Sequence, residues 1–253
     1  MRNNKFNTSS DAFMYLLNDL LINPEYICSP RGQKIHEVKD YYIEIMNPTS
    51  DSIVTEDFER NEVIANYSEK EKALYNTMST KVEDFTNISK FWSKLANPNR
   101  TVNSAYGYLI KGLADHGDPA FEAIDDNGIG VYRTPWQWCI EALKTDKDTR
   151  QAVMRFSRPE HFWVGVKDFT CTLHGNWLIR NNKLFLSIVM RSNDIVKGFC
   201  FDVPWFISLM EDMLQELKPV YPDLEMGSYS HFAHSMHIYE SSFNVVKKML
   251  NIQ

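Results

Sequence analysis

In DFTCTLHGNWLIRNNKLFLSIVMRSNDIVKGFCFD, residues 168 to 202, two β-rich runs flank Asn181-Asn182 and then give way to a cluster of charge. Asparagine tolerates left-handed backbone, so the pair predicts a turn joining strands at 168–179 and 183–192. Arg191, Ser192, Asn193 and Asp194 then interrupt what otherwise reads as buried strand, and a second acid, Asp202, follows. Charge is costly to bury unless it is paired or holds a ligand. The cluster is therefore either a paired structural knot or a site. Taken alone, Asp202 reads as the N-cap of the helix that VPWFISLMEDMLQELK predicts, because its oxygen can accept from free backbone N–H groups. Arg191 and Asp194 read equally well as a structural ion pair.

Outward from this stretch the chain divides in character. DAFMYLLNDLL predicts an amphipathic helix capped by Ser10, and KIHEVKDYYIEI alternates as a half-buried strand ending at Asn47-Pro48. Residues 60–80 and 88–96 predict helices, as does SAYGYLIKGLADHG (104–117), whose internal Gly107 weakens the pattern. DDNGIGVYRTP (125–135) reads as a loop before the helix WQWCIEALKT, and TRQAVMRFSRP as β-rich. YPDLEMGSYSHFAHSMHIYE reads as extended, and SSFNVVKKML as a closing helix. Helices in the first half and neighbouring strands in the second predict an α+β fold, a mixed β-sheet packed with helices, in one domain over 1–253.

The 253 residues suffice for a substantial core, and 43% apolar with 24% charged is ordinary for a soluble globular protein. A net charge of −6 argues against direct nucleic-acid or anionic-membrane binding, though a few arginines suffice for one phosphate. MRNNKFNTSS has no apolar core, and no apolar run nears the ~18 residues that cross a bilayer, so the expectation is neither secretion nor a membrane. The four cysteines form no CxxC pair, which fits a reducing cytoplasm without disulfides or structural zinc. No Walker loop, GxGxxG or HExxH is present. His231, His234 and His237 invite a metal reading, but in an extended segment His234 points away from the other two, and no metal is expected.

Read together, the segments resemble the thymidylate synthase superfamily, and most nearly its phage-type deoxycytidylate hydroxymethylase branch. In that pattern a cysteine opens a strand and Arg-Ser-x-Asp follows twenty residues later. A glycine comes four residues on, and a base-reading Asn or Asp four further. Cys171, Arg191, Ser192, Asp194, Gly198 and Asp202 meet every interval. The likeness extends to Trp92, to NSAYG (103–107), to Asp148-Thr149-Arg150 and to His237-Ile238-Tyr239, covering about 60 to 240.

The resemblance implies a thymidylate synthase-like fold, a homodimer through the sheet face, and 5,10-methylenetetrahydrofolate as co-substrate. It implies that Cys171 adds as thiolate to C6 of a pyrimidine, with a nearby arginine lowering its pKa. Arg191 and Ser192 would hold the 5′-phosphate, aided by Arg150 of the second subunit and by Arg31. His237 and Tyr239 would bond the sugar, and Asn193 and Tyr106 complete the substrate site. Trp92, Asp194 and Gly198 would contact the folate, while Glu71 would organise water and move protons. Thymidylate synthases carry Asn where this chain has Asp202. A carboxyl can accept from cytosine N4 and give a proton to N3, which points to dCMP.

Thr172 stands where thymidylate synthases have His, which favours attack by water and a hydroxymethyl product over a methyl one. Gln151 replaces a second phosphate-binding arginine, and only 14 residues follow Tyr239, so the segment that closes over folate is expected to be short. The resulting expectation is a cytoplasmic deoxycytidylate 5-hydroxymethyltransferase serving phage DNA modification beside other nucleotide-synthesis enzymes. Ribonucleotide, dUMP and C5-methylating variants stay open, as does a non-catalytic nucleotide-binding homologue.

Overall fold

The computed structural model describes residues 2–112 and 134–252. Along the chain run β1 (Lys5–Phe6), α1 (Ser9–Ile22), β2 (Tyr26–Cys28), β3 (Ile35–Ile45), α2 (Phe58–Asn76), α3 (Val82–Thr86), α4 (Trp92–Leu95) and α5 (Tyr106–Lys111). After the undescribed segment come α6 (Pro135–Thr145), β4 (Val153–Arg155), β5 (Thr172–Arg180), β6 (Lys183–Met190), β7 (Asn193–Asp194), a π-helical turn (Ile195–Phe199), α7 (Cys200–Leu217), β8 (Glu225–Tyr239) and α8 (Phe243–Met249).

The strands form one mixed sheet in the order β1-β3-β8-β6-β5-β4, with β2 on β3 and β7 on β8. β3 runs antiparallel to β8, and β6 parallel to it. This is the α+β arrangement that the sequence predicts. On β6 every second residue (Leu184, Leu186, Ile188, Met190) is buried, and α7 packs against this strand. Phe185 and Val189 of the alternate set, with Leu178 on β5 and Phe232 on β8, are only half-buried.

The Asn181-Asn182 turn forms as predicted. Both residues have positive φ, 50° and 55°, and Arg180 pairs with Lys183, the geometry that a tight two-residue hairpin requires. Gly107 does not break its helix. A Cβ there would lie 1.9 Å from the Tyr75 carbonyl oxygen, so glycine lets α5 approach α2 closely.

Four local expectations are corrected. Thr8, not Ser10, caps α1: its hydroxyl accepts from Asp11 N at 3.1 Å while Asp11 Oδ2 accepts from Thr8 N at 3.0 Å. Ser10 Oγ instead accepts from Val54 N. The helix predicted at 88–96 shrinks to Trp92–Leu95, because Ser89 Oγ takes the Phe91 N–H in place of a helical carbonyl. Asp202 is no N-cap. Helical structure begins at Asp194, whose Oδ1 accepts from Val196 N at 2.9 Å and Lys197 N at 3.2 Å, so Asp202 lies inside α7. Finally, Arg191 and Asp194 are not an ion pair; Asp194 pairs instead with Lys197, at 3.9 Å. Residues 113–117 of the expected 104–117 helix, and 125–133 of the expected loop, lie outside the described residues.

Candidate active site

The β5–β6 hairpin explains the twenty-residue gap between Cys171 and Arg191. The two strands fold back on each other, so Arg191 N donates to Cys171 O at 2.8 Å. The register slips between Thr172 and His174, a bulge beside the cysteine of the kind that re-aims side chains near sites. The Arg191 guanidinium is held by two carbonyls, Phe169 O at 2.6 Å and Thr170 O at 3.1 Å, and lies 3.4 Å from Cys171 Sγ. The predicted effect on the thiol is only partly met. Burial raises its pKa most, and Asp202 and Asp168 add to that; the positive charges of Arg191 and Arg31 oppose the rise without overcoming it.

Asp202 comes to the same place from α7. Its Oδ2 accepts from Asn193 Nδ2 at 2.9 Å, and Asn193 is itself buried on β7. Gly198 makes room for this pair: a Cβ there would lie 2.8 Å from Asn193 Nδ2 and 3.1 Å from Asp202 Oδ2. Burial pushes the Asp202 carboxyl up to about 7, the Asn193 bond opposes the rise, and Asp194 adds to it. Asp202 and Cys171 keep a strip of accessible surface, yet the surrounding protein dominates both titrations.

Glu71, buried on α2, rises to about 8, first through burial and then through the charge of Asp202. Tyr67 donates to its Oε1 at 3.1 Å and accepts from Trp92 Nε1 at 3.3 Å. The sequence reading missed Tyr67, although a residue one helical turn before a buried acid was a visible signal. Tyr106 accepts from Thr172 N at 3.3 Å, which sets its hydroxyl beside the cysteine strand.

On the far side, β7 pairs Asp194 with His237 of β8, and Tyr239 follows with its ring 5.4 Å from that of His237. The charge of Arg31, in the turn Pro30–Gly32, is felt at both Cys171 and Tyr239. Ser192 is half-buried between Arg191 and Asn193. The fold thus gathers Cys171, Arg191, Asn193, Asp202, Glu71, Tyr106, Asp194, His237 and Tyr239. Arg150 stands apart, exposed in the loop before β4.

The three histidines of β8 go separate ways. His231 is buried against Tyr229 Oη at 2.9 Å, exposed His234 meets Asp40 at 2.8 Å, and His237 faces Ser235 O. No group of metal-ligating side chains occurs among the described residues.

Comparison with known proteins places the chain in a family. The thymidylate synthase family model matches residues 60–253. The chain belongs to the thymidylate synthase family. Its members transfer one-carbon units and use methylenetetrahydrofolate. Deoxycytidylate 5-hydroxymethyltransferase of Enterobacteria phage T6 is 27% identical over 187 residues, 71% of this chain and 69% of the phage protein. Deoxyuridylate hydroxymethyltransferase of Bacillus phage SP01 is 26% identical over 241 residues, 92% of this chain and 58% of that one. The thermostable thymidylate synthase A of Bacillus subtilis shares the fold with a TM-score of 0.69 at 17% identity, over 96% of this chain and 84% of the other. Among the described residues no helix is long and apolar enough to cross a membrane.

Proposed function

We propose that the chain is a single-domain, folate-dependent deoxycytidylate 5-hydroxymethyltransferase. The observation that carries this reading is the Asn193–Asp202 pair, with the Asp202 carboxyl at about 7 beside Cys171 and Arg191. Asn193 engages Oδ2, and Oδ1 has no hydrogen bond among the described residues, so one carboxyl oxygen is left to meet the base. A carboxyl that titrates near neutrality can give a proton to cytosine N3 while accepting from the N4 amino group.

On this reading Arg191 and Ser192 hold the 5′-phosphate, with Arg31 and a second subunit's Arg150 adding charge, while His237 and Tyr239 take the sugar hydroxyl. The Cys171 thiolate adds to C6, and the electron pair moves toward C5 as Asp202 protonates N3. Bound methylenetetrahydrofolate supplies a carbon at the oxidation level of formaldehyde. C5 takes up that carbon and loses its proton to a protein base, and the bond from the carbon to the folate nitrogen breaks, so that tetrahydrofolate leaves and an exocyclic methylene remains on C5. Water ordered by Glu71 adds to the exocyclic methylene, and the C6–S bond breaks to return the thiolate. Burial raises the Cys171 pKa, so the Sγ proton must pass to a base before attack begins; the Arg191 charge favours that loss.

The residues assigned to folate fit it. Asp194 Oδ2 is buried with no hydrogen-bond partner among the described residues, Lys197 Nζ lying 3.9 Å away, and is an acceptor suited to the N–H edge of a pterin. Homodimerisation through the sheet accords with the half-buried Leu178, Phe185, Val189 and Phe232, which a partner sheet would cover.

The test is product analysis. The protein is incubated with methylenetetrahydrofolate and, separately, dCMP, CMP and dUMP, and the nucleotides are weighed by mass spectrometry. Gain of CH2O on dCMP above the other two supports the proposal. Gain on dUMP alone, gain of CH2 alone, or no change with any nucleotide refutes it.

A further inference from the structure

Glu71 sits between two tyrosines of its own helix, Tyr67 one turn before and Tyr75 one turn after. Tyr67 is the better placed. Indole Nε1 can only donate, so the 3.3 Å contact from Trp92 fixes the Tyr67 oxygen as acceptor. The Tyr67 proton is thereby committed to Glu71 Oε1, 3.1 Å away. The ring is clamped by Phe201, with centroids 4.4 Å apart, and Phe201 adjoins Asp202 in sequence. Trp92 is fixed in turn, packed edge-on against Phe85 at 5.0 Å and almost fully buried. The result is a one-directional chain, Trp92 N–H to Tyr67 O–H to Glu71, running from the expected folate contact to the expected proton-moving acid.

We infer that Tyr67 is a positioning residue: it holds Glu71 in one orientation and couples it by hydrogen bond to Trp92. The inference rests on the reading of Glu71 as the group that moves protons. Its consequence follows from charge. Tyr67 donates to the carboxylate and, with Tyr75 adding to the effect, favours its ionised form, while burial and Asp202 of α7 disfavour it. Loss of the Tyr67 hydroxyl therefore raises the proton affinity of Glu71 and leaves the Trp92 N–H without an acceptor.

Tyr67→Phe keeps the ring and its contact with Phe201 and removes only the hydroxyl. In 15N-labelled protein the Trp92 indole resonance should titrate with Glu71 in the wild type, and Glu71→Gln should abolish that titration. Tyr67→Phe should also abolish it, with little change in Tm. In the dCMP assay, the kcat–pH transition that Glu71→Gln removes should move up by about one pH unit in Tyr67→Phe, equivalent to ~1.4 kcal/mol, with the nucleotide KM unchanged. A Trp92 resonance that ignores both pH and Glu71→Gln overturns the chain; this comparison needs no Tyr67 variant to fold. A Tyr67→Phe protein with wild-type pH transition and wild-type resonance overturns the positioning role. If Glu71→Gln keeps full turnover but silences the titration, the chain stands and the catalytic reading of Glu71 fails instead.

Discussion

Replacing Asp202 by Asn exchanges an ionisable carboxyl for a fixed amide at the point where the base would be read. In the structure the carboxyl titrates at about 7 against an ordinary value of 3.8, with burial the main cause. Its folded-state pKa therefore lies above its unfolded value, and the native protein binds the extra proton between those two pH values. Stability contributed by this group is fully present below pH ~4 and declines as pH rises toward 7, by on the order of 3–4 kcal/mol at 1.36 kcal/mol per unit. Asn carries no such titration, so the variant should lose less stability between pH 5 and 8 and should be the more stable protein at pH 8. Glu71, raised partly by the Asp202 charge, should titrate below its present value of about 8 in the variant. The functional effect comes from mismatch. An amide donates to O4 and accepts from N3–H of uracil, but offers cytosine the wrong pairing, and an unpaired buried polar group costs roughly 1–3 kcal/mol. That predicts a shift in kcat/KM preference from dCMP toward dUMP of roughly ten- to a hundredfold. Direct competition between the two monophosphates, with products counted by mass spectrometry, measures the shift. Scanning calorimetry across pH 5–8.5 measures the stability arm. An unchanged preference ratio would refute base reading by Asp202, whatever the calorimetry shows.

Cys171→Ser should abolish turnover while nucleotide binding, read by calorimetric titration, stays within a few-fold; near-normal turnover would rule out covalent catalysis at this residue. Mixed Arg150→Ala and Cys171→Ser subunits should recover activity absent from either alone, because one site of the heterodimer carries both defects and the other neither. A strictly monomeric protein would dispose of that idea. Gly107→Ala places a Cβ where the Tyr75 carbonyl oxygen already lies, 1.9 Å away, so α5 must shift and stability should fall by roughly 1–3 kcal/mol in chemical denaturation.

Much of this protein was legible from local chemistry. Asn181-Asn182 marked a hairpin because asparagine accepts left-handed backbone, and that hairpin alone turns the interval from Cys171 to Arg191 into a contact. The intervals of Arg191, Asp194, Gly198 and Asp202 marked the candidate site because they resemble a family's pattern. What the sequence could not decide depended on groups distant along the chain. Asp202 looked like a cap, since an aspartate before a helix ordinarily accepts its free backbone N–H groups; only the π-helical turn starting at Asp194 put it inside the helix and against Asn193. The thiol was expected to be depressed by arginine, but the sign of a pKa shift is a balance of burial against charge, and burial is a property of the packed chain. The link from Trp92 through Tyr67 to Glu71 joins α4 to α2 across 25 residues, and no local pattern announces a hydrogen bond that exists only once two helices have met.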